Sequence, residues 1–296
     1  MKLIEPNVEL IPQGEGLLGV YKMIEIAGRT CYKSEDKITD NSCKEFVQRM
    51  INSGHTAMLE HGSIYLKVPI ADWQIDRHEW EYMFPKDLPW VCVDWDCKFV
   101  YISTNYRHTI EHEVGDTVLN KYLCAPTKFH ERRITVRFTC DRGVSHELVR
   151  HRVFSFAQES TRYCNYSKDK FGNELTFIIP SWLELNEGEY YKEGSDIIGD
   201  GFIYNMQEGG EDTDTALFIY SLLATEKSYL ALLDMGWKPQ QARQILPNAL
   251  KTEVVMTGFI DDWKHFFELR CAPNAHPDMQ ALANKLKELF NQNNYI

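Results

Sequence analysis

Apolar positions along the chain follow two rhythms, and the switches between them divide it into elements. Residues 8–13 read as a short strand, and Leu17–Ala27 and Ser42–Asn52 as helices, the second with Phe46, Met50 and Ile51 inward and Ser53-Gly54 ending it. Ile64, Leu66 and Val68 then alternate with Ser63, Tyr65 and Lys67, as in a half-buried strand. Phe99–Ser103 and Ile134–Cys140 are further strands, and Asp141-Arg142-Gly143 turns the second into a helix from Val144 to Arg152. Gln158, Ser160 and Arg162 recur with period two, so in an extended run they share a face. A polar turn at 167–173 and a strand from Leu175 to Ile179 follow. From Thr215 to about Asp234 one apolar stripe predicts a long helix that is nearly all core, with Glu226 on the stripe in need of solvent or a partner. A short helix over 238–246, a strand Lys251–Phe259, a helix Asp262–Arg270 capped by Asp261, and a last helix Asp278–Phe290 complete the pattern. It predicts an α/β protein of the α+β type: one domain over 1–296, a mixed sheet packed by helices.

Two segments stand apart. Residues 71–132 hold four of the seven tryptophans and read as an aromatic-rich, hairpin-bearing insertion that fills a satellite core. Residues 184–214 hold ten Asp or Glu against one Lys and read as a solvated, mobile surface loop. No run of about 18 apolar residues appears, and Met1–Leu10 has no signal-peptide character, so the expectation is a cytoplasmic protein with no membrane partner. The eight cysteines are scattered, which predicts reduced thiols and no metal site. A net charge of −11 disfavours a general nucleic-acid binder.

Two apparent motifs fail on context. Residues 14–19, GEGLLG, match a dinucleotide fingerprint, but Pro12 interrupts the strand before it and the segments after it are helical. His146-Glu147 begins like a zinc-protease helix, yet the second histidine, His151, is five positions on, and about 500° of rotation leaves the rings roughly 140° apart.

One long pattern survives. Arg150, His151 and Arg152 fan over roughly 200° of a helix end. Seven residues later come Ser160, Thr161, Arg162 and Tyr163. Guanidinium groups beside hydroxyls and an amide suit a phosphate monoester. The pattern Arg-His-Arg, seven residues, Ser resembles the signature of the flavin-dependent thymidylate synthases. Leu59-Glu60-His61-Gly62, Ala242-Arg243-Gln244-Ile245-Leu246-Pro247 and Leu269-Arg270, followed by His276, resemble further elements of that family.

The resemblance implies an FAD enzyme, a homotetramer with FAD at subunit interfaces, that methylates dUMP to dTMP with methylenetetrahydrofolate and NADPH as co-substrates. It implies FAD binding at His61, Ser63, Arg150, His151, Arg152, Gln158, Phe259, His265 and His276. It implies dUMP binding at Glu147, Arg150, Gln158, Glu159, Ser160, Thr161, Arg162, Arg243 and Arg270, with Arg270 also catalytic at the pyrimidine edge. In keeping with a route lacking a protein nucleophile, none of the eight cysteines follows a proline, the context of the nucleophile in ordinary thymidylate synthases.

Two departures from the family's pattern matter. Glu147 stands where Gln is frequent, and a carboxylate there must point away from a phosphate or pair with an arginine. Gln158-Glu159-Ser160 stands where Glu-Leu-Ser is frequent, moving the acid by one position. Two other readings remain at this stage: a flavoprotein NADPH oxidoreductase without methyl transfer, and a nucleic-acid module stacking bases on Phe154, Phe156, Tyr163 and Tyr166.

Overall fold

The computed structural model describes residues 1–168 and 172–296. Strands β1 (Lys2–Ile4) and β2 (Asn7–Leu10) precede helices α1 (Gly16–Tyr32) and α2 (Ser42–Asn52), and a 3-10 turn, Thr56–His61, leads into β3 (Ser63–Pro69). Next come α3 (Ile70–Ile75), α4 (Arg77–Met83), β4 (Cys92–Trp95), β5 (Phe99–Asn105), α5 (Tyr106–Glu111) and α6 (Asp116–Tyr122). Then follow β6 (Arg133–Asp141), α7 (Arg142–Leu148), β7 (Ser155–Gln158), β8 (Thr176–Ile178), β9 (Gly188–Glu189), β10 (Tyr191–Glu193), β11 (Asp196–Gly199) and β12 (Phe202–Asn205). The chain closes with α8 (Thr213–Asp234), α9 (Pro239–Ala242), β13 (Lys251–Phe259), α10 (Ile260–Arg270) and α11 (Pro277–Gln292).

The α+β class holds, with the strands among the described residues distributed over four sheets. The sheet that organises the molecule is antiparallel, in the order β2-β6-β13-β7, with β13 and β6 in register from Lys251↔Asp141 to Phe259↔Arg133. The mixed sheet is a smaller one, β8-β1-β9, in which β1 runs parallel to β8. Successive side chains of β13 point to opposite faces. On one face Val254 and Met256 join Phe138, Trp263, Phe266, Phe267 and Phe290 under α10 and α11. On the other, Thr257, Val255 and Glu253 look toward α1 and the 3-10 turn.

The segment 71–132 is the outer half of a second core. Its strand β5 pairs with β3 from Ser63↔Asn105 to Pro69↔Phe99, and Trp80, Met83 and Phe84 bury against Phe46, Leu59 and Leu66. This core is shared with α1, α2 and β3, and Trp90 and Trp95 remain exposed.

Several expectations need correction. The acidic segment is not a solvated excursion: β10-β11-β12 form an antiparallel meander, and Tyr190 and Ile197 are fully buried in a third core with Leu3, Phe177 and Tyr229. The acids flank apolar residues that composition alone outweighed. Helix α8 is not nearly all core, because its apolar residues surround it rather than forming one stripe. Ala216, Ile219, Leu222 and Tyr229 are buried, whereas Leu217 and Tyr220 are exposed. By length and composition α8 is long and apolar enough to cross a membrane; here one side of it packs on the third core. Glu226 finds its partners in the backbone N–H of Leu175 at 2.8 Å and the ammonium of Met1 at 3.0 Å. The cap at α10 comes from Asp262, which accepts from the Phe259 N–H at 3.2 Å, rather than from Asp261. Residues 169–171 of the expected polar turn lie outside the described residues.

The GEGLLG segment has a packing role. Gly16 carries φ +64°, in the left-handed region, and a Cβ on Gly19 would collide with the carbonyl oxygen of Gly14. The obstacle is backbone and cannot rotate away. Gly19→Ala is expected to lower stability by about 1–3 kcal/mol, checked by urea denaturation.

Candidate functional site

Helix α7 begins on Asp141, whose carboxylate accepts from the Val144 N–H at 2.9 Å, and it stops at Leu148, earlier than periodicity predicts. Arg150, His151 and Arg152 thus lie in the turn beyond the helix rather than on its last turn. The turn separates them: Arg150 and Arg152 are exposed, and His151 is buried between the rings of Phe154 and Phe266.

His151 is also the link to α10. The Nε–H of Arg270 donates to Nε2 of His151 at 2.8 Å, which makes Nε2 an acceptor and places the imidazole proton on Nδ1. Burial, with the Arg270 charge adding to it, pushes the histidine down to about 4, so it is neutral at physiological pH. Arg270 also donates to the Glu147 carboxylate at 2.6 Å and to the Glu147 carbonyl at 3.1 Å. Glu147 therefore pairs with an arginine, one of the two outcomes its sequence position required. Glu147, His151 and Arg270 form one half-buried cluster where α7, the turn and the end of α10 meet.

Strand β7 ends at Gln158, so Ser160 and Arg162 do not continue an extended run. Instead the N–H groups of Tyr163 and Cys164 fold back onto the Ser160 carbonyl at 3.1 and 3.0 Å. The predicted common face of Gln158, Ser160 and Arg162 is lost, because a turn replaces the period of two. Gln158 donates to Ser145 at 2.9 Å and to Thr252 at 3.3 Å, on the α7 side of the sheet. Glu159 is buried at 2% exposure, accepting from Lys251 Nζ at 2.9 Å and from the Tyr166 hydroxyl at 3.0 Å. Arg243 reaches the Thr161 hydroxyl at 3.4 Å, bringing those two predicted nucleotide residues together, while Arg162 lies exposed over the Tyr163 ring.

The opposite face of the sheet carries His61. It is fully buried, with Nδ1 2.8 Å from the Thr257 hydroxyl, which is 2.9 Å from that of Thr135. Burial, and then the charge of Arg133, lowers its pKa to about 3, so this imidazole is also neutral. Ser63 is buried beside it, its backbone N–H and carbonyl both held by the Gln13 amide. Of the remaining predicted residues, His265 is exposed and 3.1 Å from Glu268, and His276 begins α11 beside the Trp182 ring.

Two cavities collect parts of these sets. One of about 310 Å³ is lined by Glu147, Trp182, His276 and Asp278. The other, of about 240 Å³, lies between the sheet and the 71–132 segment and is lined by Arg152, Phe259, Ser155, Arg133, Trp90 and His108, among others. Arg133 went unnoticed in the sequence because it begins a strand of otherwise unremarkable alternation. Its period-two companions Thr135, Arg137 and Thr139 were the available signal that this face is polar. Among the described residues no group of three or more His, Cys, Asp or Glu is placed to hold a metal ion.

Residues 116–293 match the family model described as thymidylate synthase complementing protein. The chain is 29% identical over 148 residues to a flavin-dependent thymidylate synthase of Geobacter sulfurreducens, covering 50% of this chain and 51% of that relative. It thus spans about half the length of that protein. It is 24% identical over 282 residues to the enzyme of the same name from Corynebacterium efficiens, covering 93% of this chain and 76% of the relative. Among solved structures it is similar to a UMP/dUMP methylase, PolB, of Streptomyces cacaoi bound with 5-Br dUMP, at 17% identity and TM-score 0.43 over 99% of this chain and 93% of that one. At that score the two share too little geometry for residue-by-residue correspondence.

Proposed function

The chain belongs to the thymidylate synthase complementing protein family, and from that premise we propose that it is an FAD-dependent thymidylate synthase converting dUMP to dTMP. Methylenetetrahydrofolate is the carbon donor and NADPH the reductant in this reading, and the enzyme works in the cytoplasm as a homotetramer. The observation that carries it is the Arg-His-Arg turn, which presents two charged guanidinium groups outward while holding a neutral imidazole inward against Arg270.

Arg150 and Arg152 hold phosphate groups, as paired-donor cations do. Ser160, Thr161, Arg162 and Arg243 hold the nucleotide. His151, neutral and fixed by its bond to Arg270, aims that guanidinium. Arg270 then stabilises negative charge developing on the N3 and O2 side of the pyrimidine. Glu147 keeps Arg270 oriented until substrate arrives. On the other side of the sheet, Arg152 and Phe259 fit a flavin, because the cavity they line joins an aromatic ring to the guanidinium groups of Arg133 and Arg152, which have no carboxylate ion pair among the described residues; His61 and Ser63 are buried outside that lining. When bound and reduced, the flavin supplies reducing equivalents. The assembly is supported by one chain leaving the two sets on opposite faces of its sheet, and by exposed Val153, Tyr163, Leu217 and Tyr220.

The test is direct. Purified protein is expected to be yellow and to form dTMP from dUMP only when methylenetetrahydrofolate and NADPH are both present. Yellow protein that oxidises NADPH without forming dTMP would favour the oxidoreductase reading; colourless protein with salt-sensitive nucleic-acid binding would favour the binding module.

A further inference from the structure

A third cavity, of about 370 Å³, is lined by Ser63 and Thr135 and so lies on the His61 face of the main sheet. Its rim is built from the Gly14-Glu15-Gly16 loop, from residues 123–126 of the 71–132 segment, and from Asn293 and Tyr295 after α11. Ile11, Val20, Leu123 and Pro126 give it apolar walls.

Arg132 supplies a charge at this cavity. Its side chain is exposed, its guanidinium lies 5.0 Å from the centroid of the Tyr295 ring, and it makes no hydrogen bond or ion pair among the described residues. The ring beneath it is fixed. Asn294, at φ +55°, turns the chain back, so that the Tyr295 N–H donates to the Phe290 carbonyl at 3.0 Å and the two rings sit 5.4 Å apart. The Arg132 backbone is held as well, its carbonyl accepting from the Ile260 N–H at 2.9 Å. A guanidinium stacked on an aromatic ring keeps its N–H fork free at the edge, the geometry that takes a carboxylate through paired bonds. The one carboxylate in the lining, Glu15, is exposed and forms an ion pair with neither Arg132 nor Arg133.

Arg133 lines both this cavity and the one of about 240 Å³, so the two meet at its side chain. A ligand with a ring in the smaller cavity can therefore lay a tail in the larger. Apolar walls and a charged rim around a volume of small-molecule size suit an aryl group that ends in carboxylates.

We propose that this cavity binds an arylcarboxylate, the ring between its apolar walls and a carboxylate on Arg132. Within the functional reading above, that ligand is the p-aminobenzoyl-glutamate tail of methylenetetrahydrofolate. The assignment to folate rests on that reading; the arylcarboxylate site does not.

The probe is p-aminobenzoyl-glutamate, the tail without its pterin. Titrated into the full chain it is expected to bind, and to compete with methylenetetrahydrofolate in dTMP formation, read by calorimetry and by steady-state kinetics. Arg132→Ala is expected to weaken the probe about 10- to 100-fold, the loss of a charge-assisted carboxylate contact, and to raise the KM for methylenetetrahydrofolate by a similar factor. Arg132→Lys should recover part of the loss. Ala125 is exposed on the lining, so Ala125→Trp fills the mouth without entering the core and is expected to block the probe. p-Aminobenzamide, the ring without a carboxylate, should bind equally weakly to wild type and Arg132→Ala; if it loses as much as the probe does, Arg132 reads no carboxylate and the proposal falls. Probe binding that is absent from the wild type, or equal in wild type and Arg132→Ala, overturns the site even where dTMP forms. Probe binding that depends on Arg132 in a protein forming no dTMP keeps the arylcarboxylate site and removes the folate assignment together with the proposed activity.

Discussion

Replacing Arg270 with alanine is expected to lower dTMP formation by about 10²- to 10³-fold, the usual effect of deleting one preorganised charge from an active site. Flavin content should stay near that of the wild type, because Arg270 faces α7 and the buried turn rather than the cavity beside Arg152. The geometry also predicts a split between conservative variants. Arg270 makes three directed hydrogen bonds, to His151 Nε2, the Glu147 carboxylate and the Glu147 carbonyl. A lysine has one charged centre and cannot reproduce that fork, so Arg270→Lys should recover little turnover. Glu147→Gln keeps a hydrogen-bond acceptor beside Arg270 but removes the carboxylate, and dUMP should then bind at least as tightly as to the wild type. Steady-state kinetics with dUMP as the varied substrate separate these cases. Near-normal turnover in Arg270→Ala would remove Arg270 from the reaction.

How much of this was legible beforehand depended on the kind of information each element carries. β13 is legible from Lys251 to Phe259, both ends included, because a run rich in Thr, Val and Phe follows the break at Pro247-Asn248. α2 was equally plain. The end of α7 was missed by several residues, since Val149 fits the helical stripe and no breaker follows it; what ends the helix is burial of His151 against Phe154 and Phe266, a tertiary effect. The acidic segment misled for a related reason. Ten acids dominate its composition, but Tyr190, Ile197 and Tyr204 are spaced to bury on one side of a short meander, and a few aromatic anchors outweighed the charge. At the site, the pairing of Glu147 with an arginine was foreseeable as a requirement, though not which arginine, because α10 lies more than a hundred residues downstream. Arg133 was invisible. A charged residue at a strand end is ordinary in sequence, and only the packing around it makes it a buried guanidinium held by the Glu60 carbonyl, with no carboxylate ion pair among the described residues.

The largest stability effect is expected at Lys251, whose replacement by methionine should cost about 3–5 kcal/mol, as when one member of a buried ion pair is removed. Lys251 Nζ lies 2.9 Å from Glu159 and 2.6 Å from Glu253, and the side chains of those two acids are 2% and 14% exposed. Without the lysine, two carboxylates share a buried site, with Lys33 still against Glu253 and the Tyr166 hydroxyl still on Glu159. Urea denaturation at neutral pH would measure the loss, and a difference below about 1 kcal/mol would show that the network is effectively solvated. The pH dependence gives an independent check. Burial alone would raise the Glu253 carboxyl, but Lys251 and Lys33 outweigh it and bring it from 4.5 down to about 2. A depressed carboxyl contributes stability that is complete above its unfolded value and disappears as pH falls toward its folded one. In the wild type this contribution is therefore lost between about pH 4.5 and pH 2. In Lys251→Met most of it is already absent, so the two denaturation curves should draw together across that interval. Because Glu159 also anchors the backbone just before Ser160, through its N–H to the Glu253 carbonyl at 2.9 Å, the same substitution should loosen the Ser160–Arg162 turn and raise the KM for dUMP more than it lowers kcat.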